Sequence, residues 1–144
     1  MQPALLMSWQ VWAVLAAVFA ALTAIFAKLG VENVSSDLAT FIRVVVVLAA
    51  LVVLLTATRQ WRPPGSISGR TYLFLILSGL ATGASWLCYF RALKLGEAAR
   101  VAPIDKLSVV MVAVIGTLFL GERLSGAGWV GIVLIAAGAA LVAR

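Results

Sequence analysis

The sequence has no histidine, a single cysteine (Cys88) and five acidic residues among 144. Each shortage excludes a kind of chemistry. Without histidine there is no imidazole to act as a general base and no His-containing zinc set. One cysteine cannot make an intrachain disulfide or a thiolate cage. The acids are Glu32, Asp37, Glu97, Asp105 and Glu122. Four of them fall in expected loops or helix caps, so a working carboxylate pair is not expected. No GxSxG, P-loop or HExxH pattern occurs. The chain is therefore expected not to be an enzyme and to need neither metal nor cofactor. Charge is scarce as well, at 11% of residues, where an average soluble domain carries about 25%.

What replaces the missing charge is apolar surface. Hydrophobic residues make up 64% of the chain, and the mean hydropathy is +1.14. A soluble fold of this size cannot hide so much, because small domains keep a large share of their chain at the surface. The same composition excludes disorder. A membrane span needs ~20 mostly apolar residues, and the sequence offers five apolar runs: 11–29, 38–58, 72–95, 101–120 and 128–142. Lipid provides no hydrogen-bond partner for the backbone, so each run is expected to be helical. The runs do not alternate as barrel strands do. The expected fold is an all-α integral membrane protein, one domain over 1–144, with five transmembrane helices. The last run is the shortest. No basic n-region precedes the first, which is expected to stay in the bilayer as a span.

Cap chemistry marks the ends of these runs. Gly30, Gly96 and Gly121 each close one, and a glycine just past a helix takes the left-handed conformation without a Cβ clash. Lys28 and Lys94 precede two of these glycines, where a cation suits the helix dipole. Ser36 or Asp37 is expected to cap the second helix, and Pro103 to fit the first turn of the fourth. Residues 62–66, Arg-Pro-Pro-Gly-Ser, form the clear loop.

Five crossings would place Trp9, Trp12, Trp61 and Trp129 at one membrane face, as an interfacial belt, and Trp86 ~15 Å deep. Arg59, Arg62, Arg70 and Arg123 share that face. Lys28, Arg91, Lys94, Arg100 and Arg144 lie at the other, with Arg43 and Lys106 deeper in that half. The balance sets no strong orientation by the positive-inside rule. The net charge of +6 therefore reads as loop placement at a membrane, and no nucleic-acid partner is expected.

Charge inside a bilayer needs a reason. Arg43, Arg91, Asp105 and Lys106 all belong to one half of the expected bundle, so a shared cluster is a candidate site. Asp105 and Lys106 point ~100° apart on a helix and are not expected to pair, which leaves Arg43 or Arg91 as the better partner for Asp105. Snorkelling would account for Arg91 and Lys106, and the helix dipole for Asp105. The depth of Arg43 makes it harder to dismiss. Trp86, Tyr89 and Phe90 lie beside Arg91, and Trp86 and Tyr89, three residues apart, share a face. Aromatics with one or two charges would line a cavity for an amphipathic small molecule, although helix packing would account for the aromatics equally well. Small residues at four-residue spacing, such as Gly79 and Gly83, fit close helix packing in lipid.

These residues resemble a known family. The run from Trp86 through Tyr89-Phe-Arg91-Ala-Leu-Lys94-Leu-Gly96 to Pro103 is followed by an apolar helix and Leu118-Phe-Leu-Gly-Glu-Arg-Leu124. Together they are similar to an EamA domain of the drug/metabolite transporter superfamily. Ala24–Gly30 and Leu38–Arg43 match its first two helices. Larger members hold two such domains as an inverted repeat of ten helices and export metabolites or amino acids. The resemblance implies that this chain is one five-helix repeat in an inner membrane. Alternating access uses two repeats around a midplane site, so it further implies a homodimer, antiparallel if it imitates the fused form. Its cargo would be a small-molecule solute, its surroundings the lipid bilayer, and Glu122 and Arg123 a structural helix end. The candidate substrate-binding residues are Arg43, Trp86, Tyr89, Arg91, Asp105 and Lys106, with Asp105 a proton relay if burial raises its pKa. A non-transporting subunit of a larger complex, or a lipid-carrier flippase subunit, is the alternative.

Overall fold

A computed structural model describes residues 8–144, and every regular element among them is helical. The helices are α1 Trp9–Gly30, α2 Ser36–Ala57, α3 Gly69–Leu95, α4 Ala98–Asp105, α5 Leu107–Phe119 and α6 Gly126–Val142. A single 3₁₀ turn, Pro64–Ser66, interrupts the α2–α3 link. Four stretches are long and apolar enough to cross a membrane: α1, α2, α3 and the Ala98–Phe119 segment that joins α4 to α5. The fifth expected span is α6, a shorter apolar helix of 17 residues. At 1.5 Å per residue it is ~25 Å long, less than the ~30 Å hydrocarbon core.

Local chemistry explains the helix ends, and in places it differs from the expectation. The cap of α2 is Ser35, one residue ahead of the two candidates; its hydroxyl accepts from the Leu38 N–H at 3.2 Å. Ser68 does the same for α3 through the Thr71 N–H, and Ser125 for α6 through the Gly128 N–H. Of the glycine ends, Gly121 takes the left-handed conformation, with φ 68°, whereas Gly30 is still helical. The other left-handed residue among those described is Arg59, with φ 53°. It closes α2 in a Schellman turn: the Gln60 N–H reaches Leu55 O at 3.0 Å and the Arg59 N–H reaches Thr56 O at 3.2 Å.

The fourth span is not one helix from Val101. It starts at Ala98, so Pro103 lies inside α4 rather than in its first turn. Proline supplies no N–H to the helical ladder, and regular helix stops shortly afterwards. Lys106, with φ −70° and ψ −6°, closes α4 and opens α5.

The described chain divides into two compact units. One comprises Ala27–Lys94: the end of α1, all of α2 and nearly all of α3. Its buried residues include Ala27, Val31, Ala39, Phe90 and Leu93. The other unit holds the chain up to Phe26 together with Leu95–Arg144, where α4 and α5 both lie against α6. Large apolar side chains point outward in each unit, Val53 and Leu80 being 67% exposed and Leu134 66%. In water such a surface would aggregate; in lipid it is the solvated face.

Candidate functional site

Within the Ala27–Lys94 unit, polar side chains gather along α2 and α3. Asp37 lies in the first turn of α2, where a carboxylate suits the helix dipole. Arg91 reaches it across 54 residues of sequence, with Nη2 3.3 Å from Oδ1. The ammonium of Lys94 donates to the carbonyl of Val34, and that of Lys28 donates to the carbonyl of Leu93 at 2.8 Å. Leu93 belongs to the last turn of α3, whose carbonyls lack helical partners. Three cations thus tie the end of α1, the start of α2 and the end of α3 together.

One and two turns into α2 the chemistry changes. Thr40 is buried and returns its hydroxyl to the carbonyl of Ser36 at 2.8 Å. Arg43 follows on the same face, half-buried and ~10 Å along the axis from Ser36. Its guanidinium carbon sits 4.3 Å from the centroid of the Trp86 ring and 5.5 Å from that of Phe90. Tyr89 is within electrostatic reach of the same group. Trp86 and Tyr89 are half-buried and Phe90 is buried. Among the described residues Arg43 has no carboxylate partner. The ring faces stabilise the cation without using its in-plane N–H donors, which remain suited to a carboxylate or phosphate.

Asp105 and Lys106 belong to the second unit, at the α4–α5 break, and they pair with each other, Nζ to Oδ2, at 3.3 Å. This corrects the expectation that they point apart, which assumed continuous helix through Lys106. Arg91 is matched to Asp37, as Asp105 is to Lys106. Of the six candidates, Arg43, Trp86 and Tyr89 come together in the Ala27–Lys94 unit, Arg91 is tied into the helix ends there, and Asp105 and Lys106 form an ion pair within the second unit. Phe90, one of the three aromatics beside Arg91, stands outside the six candidates although it meets the guanidinium, and Asp37 is an ion-pair partner as well as the expected cap candidate. The spacing of Phe90, four residues after Trp86, was the available signal.

In the second unit, the helix-end motif at Gly121 folds back on α5. The carbonyl of Gly116 accepts from both Leu120 and Glu122 N–H, each at 3.1 Å. A Cβ built on Gly116 would lie 2.7 Å from Oε2 of Glu122. Glycine at 116 thus makes room for the returning carboxylate, in keeping with a structural reading of Glu122.

Comparison with known proteins agrees with this architecture. The family model described as the EamA-like transporter family matches residues 7–144. An uncharacterized transporter from the cobO 3′ region of Sinorhizobium sp is 65% identical over 136 residues, covering 94% of this chain and 96% of that protein. No solved structure matches the chain significantly.

Proposed function

We propose that this chain, which belongs to the EamA-like transporter family, is one repeat of a two-repeat exporter for a small organic solute bearing an anionic group. It is a multi-pass transporter of the cell membrane. The observation that carries the solute class is Arg43: a cation well inside a span, seated on Trp86 and Phe90, with no carboxylate partner among the described residues. Bare charge at such depth is costly and marks a solute path more often than a scaffold. The aromatic faces suit the apolar body of the solute, and the guanidinium edge suits its anion. The driving force is an ion gradient or the gradient of the solute itself.

The pathway is completed by a second copy. One repeat supplies half of an alternating-access carrier. With α6 counted as a crossing in a locally thinned bilayer, the five crossings put the two ends of the chain on opposite faces. The second copy is then inverted, as the balanced cations permit. Asp105, held by Lys106, is the group proposed to relay a proton.

Purified protein in sealed vesicles tests this reading against panels of carboxylate-bearing, cationic and neutral solutes. The expected result is saturable flux of an anionic solute that is lost in Arg43→Gln and retained in part by Arg43→Lys. Flux confined to cationic solutes, or unchanged in Arg43→Gln, refutes the assignment. Compartment reporters on both ends of the chain test the inverted pair, and a single fixed orientation removes it. Transport whose pH dependence is the same in Asp105→Asn ends the proton-relay role.

A further inference from the structure

The link between α2 and α3 is a charged surface that the transport reading leaves unused. Arg59, Gln60, Trp61 and Arg62 line a hollow of about 360 Å³ there. We propose that this hollow binds the phosphate of an anionic phospholipid and so anchors one face of the protein to its bilayer.

Four observations support a lipid headgroup. First, the cations are free to bind one. The sequence has no acid between Asp37 and Glu97, and among the described residues neither Arg59 nor Arg62 forms an ion pair. At the opposite ends of α2 and α3 the cations Arg91 and Lys94 are occupied by Asp37 and the Val34 carbonyl. Second, Arg59 holds a left-handed backbone, φ 53°, in a turn that glycine would make without strain. Strain of this kind gathers at ligand sites, and here it places a guanidinium on the rim. Third, Trp61 is fixed: its indole N–H donates to Oγ1 of Thr56 at 3.1 Å, and that residue bonds back to Val52 O at 2.7 Å. A tryptophan at a span end sits at headgroup depth.

The fourth observation separates a lipid from a free anion. The hollow directly follows the apolar face of α2, where Val53 is 67% and Leu54 55% exposed. Acyl chains lie along that face while the phosphate meets the arginines. Two planar guanidinium forks match phosphate oxygens in bidentate fashion.

The test uses full-length protein in nanodiscs of phosphatidylcholine with phosphatidylglycerol titrated in. Retained lipid is read by native mass spectrometry. Wild type should retain phosphatidylglycerol preferentially. Arg59→Gln and Arg62→Gln should each weaken that preference about fivefold, and the double variant roughly 25-fold. Arg59→Gly relieves the turn, so it folds, and it should show the same fivefold loss. Arg123→Gln removes an equal charge elsewhere and should change nothing. Full retention in the double variant overturns the proposal, as does an equal loss in Arg123→Gln. A final arm titrates inorganic phosphate into phosphatidylcholine discs. Saturable phosphate binding without phosphatidylglycerol preference overturns the lipid assignment in favour of a free anion.

Discussion

The seating of Arg43 on Trp86 makes a prediction whose sign is informative. Removing the ring by Trp86→Leu leaves a half-buried cation without its main support. Removing the cation by Arg43→Met deletes the charge that needed supporting, along with its cost in lipid. The two substitutions should therefore be strongly non-additive. A guanidinium 4.3 Å above an indole, shielded from water on one side, is worth ~1–2 kcal/mol, the upper part of that range applying when it is desolvated. Phe90, at 5.5 Å, remains in Trp86→Leu and retains a fraction of this. Trp86→Leu should accordingly cost ~1–1.5 kcal/mol more in the wild-type background than in Arg43→Met. Reversible unfolding in mixed micelles, with all four members of the cycle measured together, supplies the coupling energy. A value below ~0.3 kcal/mol, within the additivity of independent sites, would mean that the ring does not support the charge. No knowledge of the solute is needed.

Three further outcomes concern stability. Arg59→Gly should stabilise the protein by ~1 kcal/mol in neutral detergent, because the left-handed turn at φ 53° costs an L-residue about that much; a lower melting temperature would contradict the turn geometry. Gly121→Ala should lose ~1 kcal/mol for the same reason at φ 68°, read as a fall in melting temperature, and unchanged melting would contradict it. Ser35→Ala should cost ~1 kcal/mol as a lost cap, whereas Asp37→Asn should change unfolding by less than ~1 kcal/mol because its ion pair with Arg91 is largely exposed. A reversed order of these last two effects would show that the ion pair, and not the cap, fixes the start of α2.

The helices were legible because lipid simplifies the code. A run of ~20 apolar residues has one stable outcome in a bilayer, and α1, α2 and α3 begin and end within a few residues of the expected runs. Arg43, Trp86 and Tyr89 were singled out by their places along the second and third runs, and in the folded chain the Arg43 guanidinium meets the Trp86 ring. The remaining contacts depend on non-local geometry. Arg91 and Asp37 are 54 residues apart, and nothing local announces their pairing. The Asp105–Lys106 pair was missed because the ~100° step between neighbours holds only along a continuous helix, and regular helix stops at Lys106. Arg59 was read as an ordinary loop charge because glycine is the usual occupant of its turn.

The ties among Lys28, Arg91 and Lys94 also bear on motion. They pin α2 to α3 at one end, while the far ends are joined by the longer link that carries Arg59 and Trp61. For two rods fastened in this way the pinned end is the natural pivot, and the link at the far end sets the limit of any swing. With α3 27 residues long, hence ~40 Å, each degree of swing about the pinned end displaces the opposite tip by ~0.7 Å. In any such swing a change at the pinned end is amplified most at the α2–α3 link, and Arg43, ~10 Å along α2 from Ser36, would move far less than that link.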